Sequence, residues 1–250
     1  MNRTYLVENT AQEFWALTGE ALNFPRDIKT AIILTLPLEV YPVPGLRVSH
    51  VLAWTRRVKI AHRIRGRDRR LHGCLLADRG KGTIFFDADD SDVEQRFTLA
   101  HELAHFLLDY QFPRQRAVTI LGTSILAVLD GERPPAVEER LHAVLSTVPL
   151  GVMSHVMERP DEGLPVNSII AIEDRADRLA LELLAPAQPL YEVLQQTTAP
   201  KTFASRLLFL TRLLTHEYGL SEPMASFYAH YLLTQLGEPT FRDWLFGNGK

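Results

Sequence analysis

Leu99-Ala100-His101-Glu102-Leu103-Ala104-His105-Phe106 is the stretch on which the reading of this chain turns. It sets two imidazoles four positions apart, with a carboxylate directly after the first. At 3.6 residues per turn, positions i and i+4 stand one above the other on a helix face. His101 and His105 can therefore meet one metal ion from the same side, while Glu102 lies about 100° around the helix. This is the H-E-x-x-H arrangement of zinc hydrolases, with two neutral imidazole ligands and a glutamate as general base. Three fixed residues in five arise by chance in roughly one chain of this length in a hundred, so the surroundings must decide.

The surroundings read as a helix. Ser91 followed by Glu94 is a capping box, in which each side chain satisfies an orphan backbone donor. Val93, Phe97, Ala100, Ala104 and Leu107 or Leu108 recur at helical spacing as a core-facing stripe. No Pro or Gly interrupts residues 91–112. The plainer alternative is two histidines that merely share a half-buried face.

A metal needs further ligands, and residues 172–184 offer a second helix with Ala176, Leu179, Ala180, Leu183 and Leu184 as its apolar face. Glu173 and Asp177 are again i and i+4, so both carboxylates project the same way. The spacing suits a division of labour. Glu173 completes a His2Glu set, and Asp177 accepts the ring N–H of a ligand histidine, fixing its tautomer. Taken alone, the pair reads equally as surface carboxylates favoured by a helix N-terminus. The upstream motif tips the reading toward the metal.

Residues 96–105, reading R-F-T-L-A-H-E-L-A-H, and residues 173–186, with E-D-R-A-D-R-L-A followed by L-L-A-P, resemble the ImmA/IrrE family of bacterial metallopeptidases. The resemblance takes in the zinc helix, the hairpin at 73–87 before it, and the second helix. It implies a zinc-dependent protease that cuts a partner transcriptional repressor, with His101, His105 and Glu173 as ligands and Glu102 as base. Two departures stand out. The connection at 109–170 is longer than the family's usual one, and Ala185 replaces the frequent Met before the closing Pro186.

Composition fits an enzyme of ordinary globular make-up. At 250 residues with 46% hydrophobic content there is ample core for one large domain or two small ones. A net charge of −3 exerts no global pull toward nucleic acid or acidic membranes. Cys74 is the only cysteine, which excludes an intrachain disulfide and a multi-thiolate zinc site. No apolar run approaches the ~20 residues of a spanning helix, and residues 1–9 lack an apolar signal core, so the expected location is the cytoplasm.

Elsewhere the pattern predicts helices at 10–22 and 27–34, broken by Pro25. Residues 38–41 are at best an edge strand, since Pro37, Pro42 and Pro44 punctuate them. A hairpin is predicted from 73–78 and 83–87, joined by Arg79-Gly80-Lys81-Gly82. Residues 138–148 and 150–158 read as helical. His142 and His155 there, like Tyr110, could donate to an oxyanion; a structural or solvent-facing role is the plainer reading. The arginines of residues 56–70 read as a solvated segment rather than a phosphate-contacting patch. Residues 203–218 and 222–236 outline a helix-turn-helix with Ser221 as N-cap. Between Arg212 and Arg242, however, there is not one Arg or Lys to reach DNA.

The expected fold class is α+β: a mainly helical zincin-like domain with a small β-sheet beside the H-E-x-x-H helix. It occupies residues 1–195, with 110–170 as an extended connection that could close as a lid, and a helical segment follows at 200–250. The expected function is zinc-dependent endopeptidase action on a helix-turn-helix repressor in a bacterial stress or mobile-element response. No membrane and no direct nucleic-acid contact are expected. The alternative is a non-catalytic, metal-containing regulator that binds the repressor.

Overall fold

Ser91 and Glu94 form the capping box their spacing predicts. The Glu94 amide donates to Ser91 Oγ (3.3 Å) and the Ser91 amide donates to Glu94 Oε2 (3.0 Å). In the computed structural model, which describes residues 3–19, 23–159, 175–196 and 200–237, this cap opens the helix around which the site is arranged. In chain order the elements are α1 (Arg3–Ala16), α2 (Ile28–Thr35), β1 (Leu38–Val43), α3 (Val48–Arg57), β2 (Leu71–Asp78), β3 (Lys81–Asp87), α4 (Asp92–His105), α5 (Phe112–Leu121), α6 (Leu126–Leu129), α7 (Val137–Leu141), β4 (Met153–Glu158), α8 (Arg175–Leu184), α9 (Ala187–Gln195), α10 (Phe203–His216) and α11 (Glu222–Gln235). The fold is α+β and mainly helical, with a small mixed sheet beside α4.

Two compact units share these elements: residues 27–180, and residues 1–26 together with 181–250. The division is not sequential, since the second unit joins both ends of the chain.

In the first unit the strand order is β1-β3-β2-β4. β1 runs parallel to β3 at one edge, and its Pro42 sits where a missing N–H is tolerated. β2 and β3 form the predicted hairpin, turning on Arg79 and Gly80, both at positive φ as a two-residue loop of this kind requires. Gly82 serves differently. It lies inside β3, where a Cβ would come within 2.6 Å of Leu38 Cδ2. One sheet face packs under α3 through Cys74, Leu76, Phe85 and Val51, joined by Trp54 and Val156. Burial, reinforced by the nearby Glu102 charge, pushes the Cys74 thiol well up, so it remains a packing residue.

Residues 150–158 depart from the helical expectation. Residues 153–158 are strand β4, antiparallel to β2, with Leu75 opposite His155. Pairing with β2 decides it, and the strand geometry then sets Ser154 and Val156 on one side and Met153, His155 and Met157 on the other. Arg159, just past β4, donates to Asp87 (2.9 Å) and to Asp90, tying the strand's end to the end of β3.

α4 also differs from the uninterrupted helix expected over 91–112. It passes into a π-helical turn at Phe106–Gln111 before α5 resumes. Such turns insert one residue and re-aim the side chains that follow. Tyr110 Oη there accepts the Gly80 amide (2.8 Å), so Tyr110 braces the hairpin turn. His142 caps the short 3₁₀ turn at Ala143–Thr147, its Nδ1 accepting from the Val144 amide at 3.4 Å.

In the second unit α1 begins at Arg3, earlier than the expected residue 10. α10 and α11 pack through Leu210, Leu214, Ala225, Ala229, Leu232 and Leu233, all fully buried. Ser221 stands at the N-cap of α11, but its side chain makes no capping bond. Among the described residues, no helix is long and apolar enough to cross a membrane.

Candidate metal centre

Helix α4 sinks into the unit as it proceeds, and every residue from Thr98 to His105 is buried. Its close approach to the sheet depends on Gly73. A Cβ there would stand 2.4 Å from Thr98 Cγ2, 3.3 Å from Glu102 Cγ and 3.2 Å from Glu102 Oε1. The glycine of β2 is therefore what lets the Glu102 turn of α4 lie against the strand.

Three ionisable side chains within two turns are thus nearly dry: His101 and His105 each 7% exposed, Glu102 0%. Burial of such groups is costly unless each is hydrogen-bonded. The bonds they make have one design. His101 Nδ1 lies 2.8 Å from Asp177 Oδ1, and His105 Nδ1 lies 2.6 Å from Asp109 Oδ2. An acidic acceptor on each Nδ1 selects the Nδ1–H tautomer and leaves Nε2 with its lone pair. The two Nε2 atoms then face one another at 3.2 Å, with the rings 68° apart.

Two acceptors turned toward each other repel unless a cation lies between them. Imidazole nitrogens bound to tetrahedral zinc at about 2.0–2.1 Å stand roughly 3.3 Å apart. The spacing fits a metal, and the donor chemistry suits zinc, copper, iron or nickel. His101, His105 and His155 could together hold an ion, with one nitrogen from each within 4.8 Å of the others.

Asp177 projects from the first turn of α8, and its neighbour Arg175 reaches Asp109 Oδ1 at 3.0 Å. Burial works to raise Asp109, but the hydrogen bond from His105 and the charge of Arg175 outweigh it. The carboxyl is held below its usual range. The buried face of α8 within this unit, Ala176, Leu179 and Ala180, presents Asp177 to the site. Glu173 lies outside the described residues.

Two members of the site were read otherwise or missed in the sequence. Asp109 follows His105 by four, so the helical face rule brings it close, and the π turn sets its aim. His155, read as structural or solvent-facing, stands with Nδ1 3.0 Å from Glu102 Oε2 and its ring stacked on His105. No local signal marks it, because its place comes from the pairing of β4 with β2. The other carboxylate oxygen, Glu102 Oε1, is buried and has no hydrogen-bond partner among the described residues.

Residues 61–120 match the family model described as the IrrE N-terminal-like domain, a peptidase family. The match includes His101, Glu102, His105 and Asp109. A comparison with curated proteins gave no match.

Proposed function

We propose, from the premise that this chain belongs through residues 61–120 to the ImmA/IrrE family of metallopeptidases, that it is a zinc-dependent endopeptidase whose substrate is a partner transcriptional repressor. The observation that carries the reading is the convergence of two Nε2 atoms at 3.2 Å, each backed by a carboxylate on its Nδ1, beside a fully buried glutamate.

His101 and His105 would hold the metal, with Glu173 as the third ligand that the E-x-x-x-D spacing suggests. Asp177 and Asp109 keep both rings in the metal-binding tautomer and fix their planes. When bound, zinc supplies Lewis-acid chemistry toward water and a peptide carbonyl. Glu102 accepts the proton of the attacking water and returns it to the leaving amine. The unpartnered Oε1 and the dry wall around it favour that exchange, because buried polar groups interact strongly when water is excluded. The repressor, and its setting in a stress or mobile-element response, follow from the family resemblance alone.

Glu102→Gln tests this reading, since it keeps size and reach but accepts no proton at neutral pH. Wild type should create new peptide termini, read by mass spectrometry, in a helix-turn-helix repressor encoded beside this chain. The variant should retain its zinc and fold and cut ~10²–10⁴-fold more slowly. Equal behaviour of the two proteins, with no new termini, would sink the peptidase reading in favour of a metal-containing regulator.

A further inference from the structure

Glu102 has one polar contact among the side chains described, and it is with a residue far away in sequence. Its Oε2 lies 3.0 Å from Nδ1 of His155, across 53 positions of chain. Strand register puts the histidine there. His155 pairs with Leu75 of β2, on the sheet face where Gly73 meets Glu102. Arg159 holds the strand's end through Asp87 and Asp90.

His155 also belongs to the imidazole cluster, so it has two candidate roles: a third metal-holding nitrogen, or a partner of Glu102. Ring geometry separates them. A nitrogen donates its lone pair in the plane of its ring, so ligands of one ion must have planes that converge on it. His101 and His105 meet this condition, with rings 68° apart and their Nε2 atoms facing. His155 and His105 do not. Their rings lie face to face, centroids 3.6 Å apart and planes 21° apart, so their lone pairs run in nearly parallel sheets. The stack instead locks the His155 ring in the rotamer that aims Nδ1 at Glu102.

We propose that His155 is a positioning residue, whose Nδ1–H donates to Glu102 Oε2 and holds that carboxylate in the orientation from which it acts. This deepens the peptidase reading and rests on it. The bond matters because a buried carboxylate with only one hydrogen bond is otherwise free to turn about its last torsion. Misplacing a reacting group by about 1 Å costs on the order of a hundredfold in rate.

The test compares His155→Asn, whose amide nitrogen sits where histidine has Nδ1, with His155→Leu, which keeps bulk and loses the donor. Zinc-loaded protein is given a peptide library made from a bacterial proteome, and the best-cut peptide serves for kinetics. His155→Leu should lower kcat by ~10–100-fold with little change in KM, and His155→Asn should recover most of that loss. Zinc affinity, by competition with a chelator, should change less than about threefold in both, against the far larger loss expected of a missing ligand. A large affinity loss in both variants would make His155 a ligand and overturn the proposal. So would equal kcat losses in Asn and Leu, or none.

A readout independent of activity and of variant folding is the His155 ring itself. Long-range proton–nitrogen spectra of the wild-type protein should show its neutral form protonated on Nδ1; protonation on Nε2 would overturn the proposal. Should wild type cut no library peptide and no repressor, the peptidase reading falls, while the spectrum still decides whether His155 donates to Glu102.

Discussion

The α4 site and the polar cluster around Arg26 in the other unit both bury ionisable side chains, and they do so in opposite ways. Arg26 lies between the rings of Trp15 and Phe24, 4.6 and 4.8 Å from their centroids, and donates to the Leu183 carbonyl at 2.7 Å. Glu182 accepts the Ala187 amide at 3.1 Å, and Tyr228 donates both to it (3.4 Å) and to the Ala185 carbonyl (3.1 Å). These bonds run largely to backbone groups and close helix ends. In the α4 site the carboxylates instead secure the outer nitrogens of His101 and His105. The inner nitrogens of the two rings then face each other, beside the buried Glu102. One cluster uses its polarity to close helix ends; the other uses it to orient two imidazoles toward one point.

Removing a ligand should give the largest effect in that comparison. His101→Ala should reduce bound zinc from about one per chain to near none by metal analysis, and Glu173→Ala should do the same. Full occupancy in Glu173→Ala would take that residue out of the metal set. The carboxylates come next, since they act through the rings: Asp177→Ala and Asp109→Ala should each weaken zinc affinity by ~10–100-fold without abolishing it. An unchanged affinity on chelator competition would reduce either one to a surface charge.

Packing beneath the site gives a smaller effect. Gly73→Ala puts a methyl 2.4 Å from Thr98 Cγ2 and should cost ~1–3 kcal/mol in urea unfolding. Adding Thr98→Ser, which deletes that methyl, should return part of the loss. The smallest effect belongs to the other cluster. Burial pushes the Glu182 carboxyl up to about 7, from an ordinary value of 4.5. The folded state therefore holds a proton that the unfolded chain releases, and stability falls as pH rises from about 4.5 to 7, then levels off. Glu182→Gln removes that slope. Its advantage over wild type should grow from near zero at pH 4 to ~1–3 kcal/mol at pH 8. A difference that is flat with pH would show that Glu182 is not the group responsible.

Much of this was legible along the chain. The Ser91 cap, the hairpin at 73–87, the edge position of residues 38–41, and the apolar face of α8 follow from capping chemistry, turn residues and periodicity. Those signals span a turn or two of chain. Residues 150–158 suggest a helix because a short run with two methionines and a valine carries no decisive period, and pairing with β2 makes 153–158 a strand. The π turn at 106–111 left no mark in a pattern that reads as continuous helix.

The sequence by itself determined that His101, Glu102 and His105 share one capped helix, because the 3.6-residue repeat converts spacing into direction. Tertiary structure alone decided what meets them. His155 reaches Glu102 through the register of β4 on β2, Asp177 reaches His101 from a helix 76 positions on, and Gly73 yields the space that brings the Glu102 turn against the sheet. The helical repeat fixes the direction of a side chain around the helix axis. Which distant group completes its hydrogen bonds depends on how strands pair and helices pack, and that is settled only when the buried polar atoms find their partners together.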